Sequence, residues 1–313
     1  MVKTTIPVIR GGASLNGGFI QFENACFMAQ WQNNCCRRYK EYATIGGMRI
    51  IQIAVGPNQV PLTGYLQDIT SDGGIRNIRP SVVICPGGAY RFRSERERDP
   101  VALHFLNMSY NVFILDYSVQ EEAKDLNPLL EASDALIKIR EHALSWMCDP
   151  TRIAIVGFSA GGHLAASLAV LHNHEVLSCR QEIRDENNRP DAAILCYPVI
   201  TSGEYAHQES IGWVSGGDAK LKDLMSLEHQ VNPKASPMFI WHTVTDASVP
   251  VENSMLLALS LRREQVPFEL HLFESGSHGL SMCTEEVGTP HPLCRQWVGL
   301  ASTWLNSRFH HTL

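Results

Sequence analysis

The chain lacks the features that mark several common functional classes. No hydrophobic run is long enough to cross a membrane as a helix, and no basic start leads into the uninterrupted apolar stretch of a secretion signal. No basic stripe or aromatic-interleaved Lys/Arg cluster is present, and the net charge is −6. We therefore expect neither a membrane nor a nucleic acid as a partner.

The nine cysteines lack the spacing of a disulfide framework or a zinc site. Their number is odd and no C-x-x-C pair occurs, so a reducing, cytoplasmic location is expected. Histidine pairs with metal-like spacing have no carboxylate or cysteine companions; they are His172 with His174 and His310 with His311. We predict no metal and no cofactor.

One segment carries most of the chemical information, the run IAIVGFSAGGHLA at residues 153–165. Its β-branched start predicts a buried strand and its end predicts a helix. Between them, Gly157 and Gly161 flank Ser159 in the pattern G-x-S-x-G. In that context the serine is expected at the tip of a sharp strand-to-helix turn, with Oγ exposed at the helix N-terminus.

A serine needs a base and an orienting acid to act as a nucleophile at neutral pH. Asp246 follows the apolar run MFIWHT, and His278 lies in a small-residue loop after the run FELHLF. Both runs predict strands, and open α/β sheets place their ligands at the carboxyl ends of strands. We predict Ser159, Asp246 and His278 as catalytic residues. Asp218 remains an alternative to Asp246, and His291 an alternative to His278. Glu274 is expected to support the loop of His278.

A loop rich in small residues follows the predicted strand at 79–85. In Pro86-Gly87-Gly88-Ala89-Tyr90, backbone N–H groups can face a site without obstruction from side chains. We predict that Gly88 and Ala89, together with Ala160, form an oxyanion hole for a tetrahedral intermediate.

Strands and helices alternate from Met48 onward, which predicts a mainly parallel sheet with helices on both faces. Two alternating runs, 49–55 and 62–68, predict an antiparallel edge pair. Residues 1–47 are expected to be a weakly ordered extension, with an oligomerisation arm as the alternative. Residues 201–237 interrupt the alternation and predict a small cap within the catalytic domain, 48–313.

These motifs, in the order Ser159, Asp246, His278, resemble the α/β-hydrolase esterases of the acetyl-esterase and lipase group, particularly those related to acetylxylan and feruloyl esterases. The resemblance extends over residues 48–309. It implies the α/β-hydrolase fold, with a doubly wound, mainly parallel sheet of about eight strands. The family's oxyanion loop commonly begins His-Gly-Gly-Gly, whereas this chain has Pro86 and Ala89 at the first and fourth positions.

The expected function is that of a serine carboxylesterase acting on short acyl esters, such as O-acetyl groups of xylan-type oligosaccharides. Tyr90 and Trp213 are candidate contacts for a sugar ring or acyl group, and the charged run from Arg91 to Asp99 is expected to be a solvated face. Alternatives are a peptidase or lactonase of the same fold, or a non-catalytic binding protein. A homo-oligomer is possible.

Overall fold

The protein is described by a computed structural model that covers residues 40–45, 47–67, 76–180 and 182–312. Most of the predicted extension at 1–47 lies outside these residues. Within it, residues 40–45 form a strand that pairs with the strand beginning at Met48. The sheet therefore begins ahead of the predicted domain boundary.

The described residues form one sheet of nine strands, where the sequence predicted about eight. Its order is β1-β2-β3-β5-β4-β6-β7-β8-β9. The first three strands are antiparallel to their neighbours, and the remaining pairs are parallel. This confirms the predicted antiparallel pair at 49–55 and 62–68, although the strand at 40–45 lies outside the pair at the edge of the sheet. The strands are β1 (Lys40–Ile45), β2 (Met48–Val55), β3 (Val60–Gln67), β4 (Arg79–Cys85), β5 (Asn111–Leu115), β6 (Cys148–Phe158), β7 (Ala192–Cys196), β8 (Met238–Thr243) and β9 (Phe268–Phe273).

Helices connect the successive strands from β4 to β9, as the alternating pattern predicts. The α-helices are α1 (Asp99–Asn107), α2 (Asn127–Glu141), α3 (Ala143–Trp146), α4 (Ala160–Leu171), α5 (Glu175–Ser178), α6 (Gln208–Ser215), α7 (Ala219–Leu224), α8 (Glu252–Arg263) and α9 (Gln296–Phe309). Short 3-10 helices are formed by Glu95–Glu97, Gln120–Ala123 and Leu227–His229. None of the helices in the described ranges combines the length and the apolar character that a membrane crossing requires.

Two hydrophobic cores sandwich the sheet, because successive side chains of a strand point to opposite faces. In β4, Val83 packs into one core and Val82 into the other, and both are fully buried. Helices α2, α4 and α8 cover the first face, and α1 and α9 cover the second. Burial on both faces explains why the central strands are continuous apolar runs rather than alternating ones.

The insertion at 201–237 contains α6 and α7 and joins β7 to β8. It packs into the first core through Ile211, Val214 and Leu227. Its position beside the carboxyl ends of the central strands places it next to the loops that carry the predicted catalytic side chains.

Candidate active site

Ser159 lies at the sharp turn between β6 and α4. Its backbone has φ 54° and ψ −118°, a conformation that residues with a side chain rarely adopt. The Ser159 N–H donates to the Cys196 carbonyl at 2.9 Å. The Ser159 carbonyl accepts from the N–H groups of His163 and Val199 at 3.0 and 3.2 Å. These contacts hold the strained turn in place and leave Oγ at the N-terminus of α4.

The two glycines of the motif are required by crowding around this turn. A Cβ atom on Gly157 would lie 2.1 Å from the carbonyl oxygen of Gly161. A Cβ atom on Gly161 would lie 2.1 Å from the Cys85 oxygen and 2.3 Å from the Pro86 oxygen. Strand, turn and helix approach so closely that only hydrogen atoms fit between their backbones.

We expect Gly161→Ala to lower the free energy of unfolding by at least about 3 kcal/mol, because the added methyl group overlaps backbone atoms that cannot rotate away. The matched control is Gly212→Ala in α6, where a Cβ atom would meet nothing within 4 Å. That change should stabilise the protein by about 0.5–1 kcal/mol. Urea denaturation of both variants measures the difference, and equal stabilities would contradict the crowding argument.

His278 bridges Ser159 and Asp246. Its Nε2 lies 2.8 Å from Ser159 Oγ, and its Nδ1 lies 2.6 Å from Asp246 Oδ2. The Asp246 side chain is fully buried, whereas the His278 ring is 21% exposed. The three predicted side chains thus form one hydrogen-bonded chain at the carboxyl edge of the sheet. With Nδ1–H donated to the carboxylate, Nε2 is free to accept the serine proton.

Asp246 is surrounded by hydrogen-bond donors. The N–H groups of Ser248 and Val249 donate to Oδ1 at 2.9 and 3.0 Å, and Oδ2 faces His278 and His242. Burial by itself would raise the pKa of Asp246. The hydrogen bonds from the two imidazoles and the backbone outweigh that effect and hold the pKa well below its usual range. The carboxylate therefore remains charged at neutral pH.

His242 is the second imidazole on this carboxylate. It lies in β8, where the sequence predicts an ordinary core histidine, and it is fully buried. Its Nδ1 lies 2.8 Å from the Ser254 hydroxyl, and its Nε2 lies 3.2 Å from Asp246 Oδ2 and 3.0 Å from the Val249 carbonyl. Because both oxygens near Nε2 are acceptors, we place the ring proton there. Its spacing of four residues from Asp246 is the only signal of this role in the sequence.

The predicted oxyanion loop has a backbone that turns through three residues with positive φ: 129° at Gly88, 58° at Ala89 and 55° at Tyr90. Glycine is needed at the first of these positions, because a Cβ atom on Gly88 would lie 2.1 Å from the Phe92 oxygen. The loop is therefore tightly coiled immediately after β4.

Three N–H groups are available beside Ser159. Ala160 is the first residue of α4, so its N–H has no partner inside the helix. Throughout the ranges that the structure covers, none of the N–H groups of Gly88, Ala89 and Ala160 donates a hydrogen bond to another protein group. Such groups bind an anion when they converge.

The loop has Pro86 where the resemblance implies a histidine, and other contacts brace it. The Gly87 N–H donates to Glu97 Oε2 at 2.8 Å, and the Tyr117 hydroxyl donates to the Pro86 carbonyl at 2.5 Å. Glu97 is only 2% exposed. The prediction of a solvated face for the charged run at 91–99 is therefore wrong at this residue, since its carboxylate points into the protein.

Tyr90 has a packing role, which corrects its prediction as a substrate contact. Its side chain is fully buried, and its hydroxyl lies 2.9 Å from His163 Nδ1. Burial lowers the pKa of His163 to about 4, so the ring is neutral. Its Nε2–H donates to the Met225 carbonyl at 3.0 Å, which leaves Nδ1 to accept from Tyr90. The pair ties the oxyanion loop to α4 and to the insertion.

Trp213 is half-buried on α6 and packs against the first core. It lines an open cavity of about 420 Å³ whose lining residues include neither Ser159 nor His278. The structure therefore does not bring Trp213 into contact with the hydrogen-bonded chain.

The N-terminal end of α6 reaches the site instead. Glu209 forms an ion pair at 3.1 Å with Arg91, the residue that follows the predicted oxyanion loop. Burial and the neighbouring His278 lower the pKa of His207, the residue that caps α6. His207 was not among the predicted site residues, and a lone histidine in an insertion carries no signal by which to find it.

The alternatives for the acid and the base have other roles. Asp218 caps α7, where it accepts from the N–H groups of Lys220 and Leu221 at 2.8 and 2.9 Å. His291 Nδ1 accepts from the Cys294 N–H at 3.2 Å.

Comparison with known proteins places this site in a family. Residues 68–261 match the BD-FAE family. The chain is 38% identical over 213 residues to endo-1,4-beta-xylanase B of Butyrivibrio fibrisolvens, covering 66% of this chain and 33% of that protein. It is 27% identical over 212 residues to the acetylxylan esterase of Xylanibacter ruminicola, covering 65% and 42% respectively. The chain thus spans less than half the length of these two curated relatives.

Solved structures share the fold over most of their length. The acetyl ester-xyloside bifunctional hydrolase of Caldicellulosiruptor lactoaceticus is 35% identical, with a TM-score of 0.69 over 80% of this chain and 89% of that one. The carboxylesterase Cest-2923 of Lactobacillus plantarum is 26% identical, with a TM-score of 0.75 over 85% and 99%. The predicted fold and family resemblance are confirmed: the chain belongs to the BD-FAE family and has the α/β-hydrolase fold of carboxylic ester hydrolases.

Proposed function

We propose that the protein is a serine carboxylesterase whose catalytic triad is Ser159, His278 and Asp246. The observation that carries this proposal is the chain of hydrogen bonds from Ser159 Oγ through both ring nitrogens of His278 to a buried, charged Asp246. We assign the N–H groups of Gly88, Ala89 and Ala160 to the oxyanion hole, because none of them donates to another protein group within the described residues. The proposed reaction uses only side chains and backbone N–H groups of the protein, without a metal or cofactor.

In the first half-reaction, Ser159 Oγ forms a bond to the ester carbonyl carbon while its proton moves to His278 Nε2. Asp246 stabilises the imidazolium, and the oxyanion hole stabilises the negative charge that develops on the carbonyl oxygen. The bond from carbon to the alcohol oxygen then breaks, and His278 returns the proton to the departing alcohol. In the second half-reaction, water attacks the acyl carbon while it gives a proton to His278. The bond from that carbon to Ser159 Oγ then breaks, His278 returns the proton to Oγ, and the acid is released.

We propose short acyl esters as substrates, in particular O-acetyl groups of xylan-type oligosaccharides. Two similar proteins support this class through their names, an acetylxylan esterase and an acetyl ester-xyloside hydrolase. In addition, the apolar side chains of the insertion pack into the protein core, and its Glu209 forms an ion pair with Arg91 at the rim of the site. A charged rim suits a polar substrate better than a long acyl chain.

The test is product analysis on acetylated xylo- and manno-oligosaccharides beside aryl esters from acetate to octanoate. We expect acetate release from the xylan-type substrate, with aryl-ester turnover that falls as the acyl chain lengthens. Good aryl-ester turnover without any release from sugar esters would contradict the substrate class.

Amide and lactone substrates complete the series, because a peptidase or a lactonase uses the same triad. Preferential cleavage of either would replace the esterase proposal. Covalent labelling by a fluorophosphonate tests the mechanism separately, since a non-catalytic protein of this fold would not react.

A further inference from the structure

A buried carboxylate that the proposed reaction does not use lies between the catalytic loops. Glu97 ends the short 3-10 helix that follows the oxyanion loop. We propose that Glu97 is a positioning residue: as a carboxylate it holds the oxyanion loop and the loop after His278 in their catalytic arrangement, and it keeps a second negative charge near the imidazolium. This inference rests on the proposed triad mechanism and adds a residue to it.

The first contact fixes the oxyanion loop. Glu97 Oε2 accepts from the Gly87 N–H at 2.8 Å. A Cβ atom on Gly87 would lie 2.6 Å from that oxygen and 3.1 Å from Cβ of Ser159. The carboxylate oxygen therefore approaches the loop where the loop lies against the nucleophile, so a displacement there would be transmitted to the neighbouring donors of Gly88 and Ala89.

The second contact fixes the loop that carries the base. The Tyr197 hydroxyl donates to Glu97 Oε1 at 2.6 Å and accepts from the Ser281 N–H at 2.8 Å. The Tyr197 ring packs edge-on against the His278 ring, with 5.0 Å between their centroids. Glu97 thus reaches His278 through one side chain that contacts the imidazole and anchors the segment three residues beyond it.

The direction of these hydrogen bonds favours the ionised form of Glu97, because a carboxylate accepts on both oxygens. Both of its oxygens face donors, and Tyr197 already accepts from Ser281, so its own proton points to the carboxylate. Burial leaves the pKa of Glu97 above its usual value, although the hydrogen bonds from Tyr197 and Gly87 limit that rise. A protonated Glu97 would leave the Tyr197 hydroxyl without its acceptor.

The charge of Glu97 is balanced by groups around it rather than by a direct ion pair. Along the described stretches of the chain, no Lys or Arg lies within ion-pair distance of its carboxylate. The titratable and charged groups that interact with Glu97 are Arg96 on its own segment, Tyr117 after β5, Cys196 and Tyr197 at the end of β7, and His278 after β9. Of these, only His278 gains charge during the reaction.

The test compares Glu97→Gln with Tyr197→Phe, using p-nitrophenyl acetate and active-site titration. We expect Glu97→Gln to lower kcat about 10- to 100-fold per titrated site, with KM changed less than about threefold. In the pH profile of kcat/KM for Glu97→Gln, the decline on the acid side should move to lower pH by about half a unit or more. The reason is that a negative charge near the imidazolium is lost. Tyr197→Phe keeps the Glu97 side chain but removes the hydroxyl through which Glu97 reaches the His278 loop, so kcat should fall in this variant as well.

The matched control is Glu131→Gln. Glu131 is also fully buried and accepts from the Ser118 N–H at 2.7 Å, but it does not contact the oxyanion loop. We expect this variant to retain wild-type kcat and pH profile, and its melting temperature gives the cost of replacing a buried carboxyl group by an amide.

The proposal would be overturned if Glu97→Gln had wild-type kcat per titrated site. It would also be overturned if kcat fell while the acid side of the pH profile of kcat/KM did not move. If Glu97→Gln does not fold, wild-type kcat in Tyr197→Phe would overturn it instead. Failure of the triad mechanism itself is recognised separately, because wild-type protein would then not be titrated by the fluorophosphonate.

Discussion

Replacing Ser159 by alanine is expected to reduce kcat for p-nitrophenyl acetate by at least about 10⁴-fold. The substitution removes the only atom that can form the acyl-enzyme, while the strained turn retains its three backbone hydrogen bonds. The remaining activity should come from the oxyanion donors and from His278 acting on water. Steady-state kinetics and loss of fluorophosphonate labelling measure the effect.

The control for this change is Ser167→Ala in the same helix. Ser167 is also buried, and its hydroxyl donates to the His163 carbonyl at 2.8 Å, within α4 and away from the reacting atoms. It should retain wild-type kcat and labelling. Undiminished turnover in Ser159→Ala would remove the serine from the mechanism, however similar the fold is to that of esterases.

The second large effect is expected for Asp246→Asn, which should lower kcat about 10³- to 10⁴-fold. The carboxylate accepts from the backbone on Oδ1 and from two imidazoles on Oδ2. An amide has only one acceptor oxygen, so its NH₂ group must face either the backbone N–H groups or the ring that donates to Oδ2. The His278 ring then loses the tautomer that leaves Nε2 free to accept the serine proton.

The same substitution should also change the pH dependence of stability. The pKa of Asp246 is lower in the folded protein than in the unfolded chain, so the charged form stabilises the fold at every pH above the unfolded value, about 4. That contribution is lost as the pH falls through the lower, folded value. Asp246→Asn should therefore melt below wild type at pH 7, and the gap should narrow as the pH drops below about 4.

Thermal melts of Asp246→Asn across this pH range, beside Asp223→Asn on the exposed surface of α7, measure the effect. The surface variant should follow wild type at every pH. A gap between Asp246→Asn and wild type that stays constant down to pH 3 would mean that the charge of Asp246 does not stabilise the fold.

Local patterns were sufficient to locate the three side chains of the proposed triad and most of the fold. The runs MFIWHT and FELHLF, which the sequence predicts as strands, coincide with β8 and β9. β8 is buried throughout and is nearly continuous in apolar residues, whereas β9 lies at the edge of the sheet and includes the exposed Glu269. Ser159, Asp246 and His278 follow the strands β6, β8 and β9, and parallel strands bring their carboxyl ends to one edge. Their proximity therefore follows from topology once the strand order is known.

Patterns failed where burial decides the role of a polar side chain. Glu97 lies in a charged run that looks solvated, and Tyr90 lies in a loop that looks open, yet both are buried. The hydrogen bond from Tyr197 to Glu97 joins residues that are 100 positions apart. No window of sequence contains both partners, so neither propensity nor periodicity indicates the pair.

The sequence by itself determined the type of chemistry. The spacing of Gly157, Ser159 and Gly161 suits a crowded turn, since a side chain on either glycine would overlap backbone atoms of the turn or of the neighbouring strand. The tertiary structure alone decided how that chemistry is supported, through Glu97 beneath the oxyanion loop and His242 beside Asp246. A buried polar group takes its role from the partners that packing places around it, and packing joins segments that are distant along the chain.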